Sequence, residues 1–355
     1  MELIDLLKKA LALGGSDVFI IPGSPVITKV QGQMKPLGDS RLLPHDVEEL
    51  IRRAYEIAGR SMDQLADGGD DDFSFSVKDV SRFRCNAYRQ RGTLAATCRV
   101  VAFGLPDPAR LNIPDVVMGL SQLRSGMVLV TGPAGNGKST TLACLVDRIN
   151  RTRSGHIITI EDPIEFLHPH QASLVSQREV PDDAATFARA LRAALRQAPD
   201  VIMLGEMRDQ ETISTAITAA ETGHLLLSSL HTVGAAKTID RIVDAFPAAQ
   251  QMQIRAQLSM VLRAVVSQRL IPTVTGEQIP VFEVMTVTPA IQNLIREGKT
   301  HQLDNAILSG GGDMLSMDAE LIRLVRAGRL TMESAKLYAV HPESLERGAR
   351  PGKLY

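Results

Sequence analysis

Two hydrophobic periodicities alternate along the first hundred residues of the chain. Apolar side chains recur at helical spacing over 3–11 and over 44–58, which predicts two helices. In 81–88 every second residue is apolar, which predicts a half-buried strand that turns into a second strand. Odd-numbered residues of the first strand would face the core. Residues 1–103 are therefore predicted to form a small α/β domain.

From Asp115 onward, short continuous apolar runs alternate with helical patterns. This alternation is typical of a mostly parallel sheet covered by helices on both faces. We predict such an α/β domain over 115–298, after a proline-rich linker over 104–114. The helical spacing within 251–269 predicts one long helix there. A helical C-terminal extension is predicted over 299–355.

The clearest motif lies between a predicted strand and a predicted helix. Its residues fit G-x-x-x-x-G-K-[ST]: Gly132, Pro133, Ala134, Gly135, Asn136, Gly137, Lys138, Ser139 and Thr140. The glycines allow a tight turn that points backbone amides at phosphate oxygens near a positive helix end. Lys138 would reach the β- and γ-phosphates of ATP, and the Ser139 hydroxyl would bind Mg²⁺. The motif therefore predicts ATP and Mg²⁺ as ligands.

Two later apolar runs end in carboxylates, the first at Glu161 and Asp162 and the second at Glu206. In an open α/β sheet, ligands bind at the carboxyl ends of the strands. Glu161 is predicted to orient and deprotonate the water that attacks the γ-phosphate; capping of the next loop is the alternative. Glu206 is predicted to contribute to Mg²⁺ binding or water positioning. Arg208 is predicted to be a phosphate sensor, or else a salt-bridge partner.

His224 and His231 flank the next apolar run. A metal site is disfavoured, because opposite ends of a strand are too distant for one ion and no third ligand has a suitable spacing. His231, at the carboxyl end, is predicted to report on the γ-phosphate. Structural hydrogen bonding is the alternative for both histidines.

The 81–88 strand and its return strand are rich in arginine: Arg82, Arg84, Arg89, Arg91 and Arg99. A solvated sheet face would explain these side chains. They could instead act on the phosphates of a neighbouring subunit, as arginine fingers do. The acidic segment before them, Asp67–Asp72, lacks the alternating ligands and closing Glu of a calcium loop. We predict a solvated turn there.

Charge and composition narrow the function further. The formal net charge of the 355 residues is −1, with 4% aromatic residues and no Trp, so nucleic acid is not expected as a partner. The three cysteines lack C-x-x-C spacing, which indicates reduced core thiols rather than a disulfide framework or zinc site. Neither a secretory signal nor an apolar run near the ~20 residues of a membrane span occurs. The protein is predicted to be cytosolic.

Four blocks in this order resemble the type IV pilus retraction ATPases, the PilT-type branch of the type II/IV secretion ATPase superfamily: Gly132–Thr140, Ile160–Glu165, Leu204–Asp209 and Gly223–Thr232. The four-cysteine zinc insert usual in extension and type II secretion ATPases is missing at 272–278. Ala290–Glu297 resembles the A-I-R-N-L-I-R-E segment of the retraction branch, with Gln292 in place of Arg.

The resemblance implies a PAS-like first domain, a RecA-like P-loop second domain and a homo-hexamer with active sites between the domains. It implies Glu161 as catalytic base, Glu206 near magnesium, His231 as nucleotide sensor, and roles for Arg82 and Arg84 in catalysis. ATP hydrolysis would drive pilin subunits back into the membrane through a platform protein, with the motor at the cytoplasmic face. The alternatives are a pilus assembly or type II secretion ATPase, a nucleic-acid translocase and a non-hydrolysing nucleotide-binding regulator.

Overall fold

The computed structural model describes residues 2–101, 104–343 and 345. The backbone forms two compact units, each with its own hydrophobic core. The division falls after Gly104, and Glu165–Leu167 groups with the first unit. Each unit is an α/β structure, as the two hydrophobic periodicities predicted.

The exact domain limits stay predictions. The predicted linker, 104–114, groups almost entirely with the second unit, where Ile113 is buried in the core. Residues 102 and 103, at the end of the predicted first domain, lie outside the described residues. The same holds for Ser344 and 346–355 of the predicted C-terminal extension.

The first unit is an antiparallel sheet with helices on one face. Its elements in chain order are α1 Leu3–Ala12, β1 Asp17–Ile20, β2 Ile27–Val30, β3 Gln33–Pro36, α2 Pro44–Ala58, α3 Asp63–Gly68, β4 Asp70–Val77, β5 Ser81–Gln90 and β6 Thr93–Val101. The strand order is β3-β2-β1-β6-β5-β4. The apolar stripes of α1 and α2 pack on the inward residues of the sheet, including Phe83 and Cys85. The predicted alternation along β5 is confirmed.

The acidic segment before β5 is not a solvated turn, so that prediction was wrong. It spans the end of α3 and the start of β4, and the strand alternation turns Asp71 into the core with 1% of its surface exposed. The carboxylate accepts hydrogen bonds from Tyr55 Oη and Arg60 Nη2, both at 2.9 Å. Burial, reinforced by Asp71, raises the pKa of Tyr55. These two hydrogen bonds stabilise the carboxylate of Asp71 in its buried position.

Replacing Asp71 by Ala should lower the free energy of unfolding by about 2–4 kcal/mol, because it leaves Arg60 and Tyr55 without their buried acceptor. The exposed Asp70, one residue earlier on the same strand, is the matched control. Asp70→Ala should change the stability by less than about 0.5 kcal/mol. Urea unfolding followed by circular dichroism measures both values. Equal losses for the two variants would contradict the buried network.

The second unit is built on a mostly parallel sheet. Its helices and strands in chain order are α4 Asp115–Gly119, β7 Gly126–Thr131, α5 Lys138–Thr152, β8 His156–Glu161, β9 Leu174–Glu179, α6 Phe187–Ala194, β10 Val201–Leu204, α7 Gln210–Glu221, β11 Leu225–Leu230, α8 Ala235–Asp244, α9 Ala248–Val261, β12 Leu262–Pro272, β13 Gln278–Thr286, α10 Pro289–Arg296, α11 Leu303–Ser309, α12 Met317–Arg326 and α13 Met332–Tyr338. The strand order is β13-β12-β7-β11-β10-β8-β9. β13 pairs antiparallel with β12, and the other neighbours are parallel. Helices cover both faces.

The prediction of one helix over 251–269 was wrong. Helix α9 ends at Val261, and Leu262 begins β12, which pairs in parallel with β7. Both faces of β12 are largely buried, so its apolar residues are not restricted to alternate positions. Such a segment contains helical spacings by chance, and periodicity alone does not separate it from a buried helix.

The C-terminal helices α12 and α13 form a small core with the outer strands β12 and β13. Their buried stripe includes Leu321, Leu324 and Ala335, which pack near Ile271 and Ile279. These segments are helical, as predicted for this part of the chain. In the part of the chain that the structure describes, no helix is both long enough and apolar enough to cross a membrane.

Candidate nucleotide site

The loop between β7 and α5 has a backbone that needs glycine. Gly132, Gly135 and Gly137 have φ of 145°, 73° and 78°, which side-chain-bearing residues rarely adopt. A Cβ on Gly132 would lie 2.2 Å from the carbonyl oxygen of Gln268 on β12. The loop therefore lies directly against the neighbouring strand, and its shape matches the phosphate-binding turn that the motif predicts.

Side chains of the loop, of helix α5 and of β12 stabilise this contact. The buried Gln268 accepts a hydrogen bond through Oε1 from Thr141 Oγ1 at 2.6 Å. Asn136 Oδ1 accepts from the Leu270 amide at 2.7 Å, and its Nδ2 donates to the Ala134 carbonyl at 3.0 Å. Sequence reasoning missed Gln268. Gln268 lies between Ser267 and Arg269 in the sequence, so no local signal distinguished it from its polar neighbours.

The remaining motif residues lie at the start of α5. Pro133 and Ala134 are exposed on the loop, and Ser139 and Thr140 are half-buried in the first turn of the helix. Lys138 is buried; its Nζ donates to the Pro133 carbonyl at 2.9 Å and lies 3.4 Å from His231 Nδ1. The lysine is thus folded back over the loop that would receive the phosphates.

The three strands that follow β7 in the sheet order, β11, β10 and β8, bring further predicted residues to the same edge. β11, β10 and β8 run parallel to β7, so their carboxyl ends meet there. His231 follows β11, and its Nε2 lies 3.3 Å from Oε2 of Glu206, which follows β10. Because His231 is also near Lys138, its imidazole lies between Lys138 and Glu206. The structure therefore brings Lys138, Glu206 and His231 together.

Glu161 ends β8 at this edge with 7% of its surface exposed. Its Oε1 accepts hydrogen bonds from Thr159 Oγ1 at 2.6 Å and from Gln177 Nε2 at 3.2 Å. Asp162, the next residue, is exposed. The two adjacent acids therefore have different surroundings, and Glu161 is the one with a side chain held in a defined orientation.

Arg208 forms an ion pair with Glu206 Oε1, and the hydrogen bond raises the pKa of the guanidinium. Its side chain is 71% exposed. The salt bridge expected as the alternative is present in this structure. The role of phosphate sensor stays a prediction, since an exposed arginine on a short loop can exchange one anionic partner for another.

The comparison with known proteins identifies the family. The model of the family described as type II/IV secretion system protein matches residues 111–291, which contain the loop and all three strand ends. The chain belongs to this family. It is 43% identical to the type IV pilus retraction ATPase PilT of Pseudomonas aeruginosa, over 97% of this chain and 100% of that protein. A twitching motility protein of Neisseria gonorrhoeae is 42% identical, over 91% of this chain and 86% of that protein.

Within the type II/IV secretion system family, a crystal structure of the pilus retraction motor PilT with bound ADP is similar to the whole chain. Its TM-score is 0.89 at 44% identity, covering 98% of this chain and 99% of that one. The resemblance to the retraction ATPases that the four sequence blocks predicted is thereby confirmed. The predicted α/β fold with a C-terminal ATPase domain is confirmed as well.

His224 lies apart from Lys138, Glu206 and His231. It precedes β11, at the opposite end of the strand from His231, where its Nδ1 lies 2.9 Å from the Ala219 carbonyl. The six-residue strand β11 lies between the two histidines, which are seven residue steps apart and therefore separated by about 23 Å. His224 therefore has the structural hydrogen bonding expected as one alternative. In the described ranges, no group of three or more His, Cys, Asp or Glu side chains could hold a metal ion.

Arg82 and Arg84 lie on the outward side of β5 in the first unit. Arg82 Nη1 donates to Ser76 Oγ at 3.3 Å, and Arg84 Nε lies 3.9 Å from Asp72 Oδ1. Arg99, opposite Arg84 in register, instead donates through Nε to Asp17 Oδ1 at 2.8 Å. Both interpretations of Arg82 and Arg84 stay open from this geometry: surface arginines, or residues acting on a neighbouring subunit.

Proposed function

We propose that this protein is a Mg²⁺-dependent ATPase motor that powers the retraction of type IV pili. The observation that carries the proposal is the meeting of Lys138, Glu206 and His231 beside a glycine-shaped loop. The near full-length similarity to a pilus retraction ATPase supports the choice of motor.

The loop suits a polyphosphate. At Gly132 the loop backbone lies too close to β12 to leave room for a Cβ, the positive end of α5 follows directly, and Lys138 supplies a cation. When ATP binds, the Lys138 ammonium group exchanges its hydrogen bond to the Pro133 carbonyl for contacts with the β- and γ-phosphates. The amides of the loop and Lys138 thus bind and orient ATP.

The donors for the metal ion are oxygen atoms, the type that Mg²⁺ prefers. The Ser139 hydroxyl and the Glu206 carboxylate are the side chains that would hold it. When bound, Mg²⁺ neutralises charge on the phosphates. Glu206 is already oriented by His231 and Arg208.

Glu161 acts as general base in this proposal. Hydrogen bonds from Thr159 and Gln177 to its Oε1 orient the carboxylate, which accepts the proton of the attacking water. His231 contacts both Lys138 and Glu206, so it responds to a γ-phosphate that changes either side chain. Arg208 exchanges Glu206 for the phosphate.

The working assembly is a homo-hexamer with PAS-like first domains, RecA-like second domains and ATP sites between them. Arg82 and Arg84 act in these sites, in their own or a neighbouring subunit. The motor binds a platform protein at the inner face of the cytoplasmic membrane and moves pilin through it, without nucleic acid. Sequence resemblance supports these proposals, as does the outward direction of both arginines on β5.

Counting surface pili by electron microscopy in the source organism tests the function. The deletion strain should show many long pili and no twitching, because pili are assembled but not withdrawn. The same strain carrying a Lys138→Ala copy of the gene should look alike. A copy with Lys78→Ala, an exposed lysine of the first unit, should restore the wild-type count. A surface without pili would instead identify an assembly motor, and unchanged pili would contradict the proposed function.

A further inference from the structure

Helix α8 begins four residues after His231 and is capped by side chains of two strands that are distant in the chain. Gly234, at the N-cap position, has no side chain to offer. Its amide donates to Ser267 Oγ of β12 at 2.9 Å, and the Ala235 amide donates to Glu283 Oε1 of β13 at 3.0 Å. Ser267 and Glu283 are direct partners in the β12–β13 register. One cross-strand pair therefore binds two successive amides at the start of α8.

The segment between His231 and α8 is tied to the first turn of the helix. Thr232 Oγ1 lies 2.7 Å from Thr238 Oγ1, which also donates to the Gly234 carbonyl at 2.8 Å. A movement of the α8 amino end is therefore passed to His231 through few rotatable bonds. His231 in turn contacts Glu206 and Lys138, so its position matters to both.

Burying the carboxylate of Glu283 costs free energy. Only 4% of its surface is exposed, and two cavities of ≈170 and ≈190 Å³ are each lined by Glu283 and Asp304. Burial raises the pKa of Glu283 to about 7; the Ala235 amide opposes this rise. Charged or titratable groups line the same cavities from α8, β12, α11, α12, α13 and the segment after α13: Lys237, Arg269, Asp304, Asp318, Tyr338 and His341. A neutral residue would be cheaper to bury.

We propose that Glu283 is a positioning residue for ATP hydrolysis: by capping α8, it sets where His231 stands relative to Lys138 and Glu206. Its carboxylate suits the positive end of a helix better than a neutral group does. Glu283 does not touch the nucleotide in this proposal, which rests on the function proposed above. The bonds of Ser267 and Glu283 to α8 also connect the histidine to the strands on which α12 and α13 pack.

Steady-state ATP hydrolysis by the full chain tests this role. Glu283→Ala should lower kcat by about 10-fold or more, because a displaced His231 no longer supports the reacting geometry. Affinity for a fluorescent ADP analogue should change little, since the loop that binds the phosphates is untouched. Glu283→Gln keeps an acceptor for the Ala235 amide but loses the charge, so its kcat should lie between those of the wild type and Glu283→Ala, close to that of the protonated wild type at pH 6. Glu277→Ala, an exposed carboxylate in the β12–β13 turn, is the matched control and should behave as wild type.

The pH profile separates positioning from a structural role. Because the pKa of Glu283 is about 7, the carboxylate form is lost as the pH falls from 8 to 6. Wild-type kcat should fall over this window as the cap weakens. Glu283→Gln cannot titrate, so this part of the decrease should be absent from its profile.

Two results would overturn the proposal. One is a Glu283→Ala variant with a lower melting temperature and an unchanged kcat. The other is a Glu283→Gln profile that falls with pH as steeply as the wild type. Should Glu283→Ala fail to fold, Ser267→Ala removes the neighbouring cap, and an unchanged kcat there counts against positioning. A wild type no faster than Lys138→Ala would instead refute the ATPase function itself, whereas an active wild type with unaffected variants refutes the positioning role alone.

Discussion

Replacing Glu161 by Gln is expected to lower the kcat of ATP hydrolysis by about 10²- to 10⁴-fold, the usual contribution of a general base. The amide keeps the shape of the side chain and can still accept the hydrogen bond from Thr159, but it cannot take the proton of the attacking water. Affinity for ATP should stay close to the wild-type value, because Glu161 acts on the water rather than on the phosphates. Phosphate release by purified protein measures kcat, and equilibrium titration measures the affinity.

The neighbouring acid provides the control for this prediction. Asp162→Asn makes the same change of charge one residue away, on an exposed side chain. It should reduce kcat by far less than Glu161→Gln does, because Asp162 has the surroundings of a solvated residue. Similar losses in the two variants would show that the local charge matters and that Glu161 is not the base.

Replacing Gly132 by Ala should weaken nucleotide binding by about 10- to 100-fold, from the ~1–3 kcal/mol that a forced backbone conformation costs. The new Cβ would lie 2.2 Å from the Gln268 carbonyl oxygen, which belongs to the backbone of β12 and cannot rotate away. The loop must therefore move off β12 and lose its phosphate-binding shape. Titration with a fluorescent ADP analogue measures the loss, and circular dichroism verifies that the sheet remains folded.

Gly135→Ala separates the clash from the cost of positive φ. Gly135 has φ of 73°, but no described atom lies within 4 Å of the point that a Cβ would occupy, so the substitution meets open space. Only the backbone penalty of about 1 kcal/mol remains, and the loss of affinity should be about fivefold. If Gly135→Ala weakened binding as much as Gly132→Ala, contact with β12 would not be what shapes the loop.

Residues with a local signature were predictable from the sequence. The alternation along β5 predicted which side chains face the core, because a strand has a period of two whatever surrounds it. Glu161 and Glu206 were identified as strand-end carboxylates because an apolar run and the acid after it are adjacent in the chain. The glycine-rich loop motif was recognisable because its glycines, lysine and serine lie in one continuous segment of the chain.

Residues whose partners are distant in the chain were not predictable in this way. Asp71 was expected in solvent, and only Tyr55 and Arg60 explain its burial. No role could be assigned to Gln268 and Glu283 from the sequence, because their contacts depend on the position of β12 between β7 and β13. Their environments depend on strand order, which periodicity does not encode.

The sequence by itself determined the family, the two α/β units and the chemistry available for ATP hydrolysis, because these depend on residue types at short, regular spacings. Tertiary structure alone decided that 251–269 divides into a helix and a strand and that His231 lies between Lys138 and Glu206. It also decided that α8 is capped from β12 and β13. The physical reason is that hydrogen-bond partners across a sheet depend on which strands become neighbours. Such strands are distant in the chain, and the local sequence pattern does not show which of them will pair.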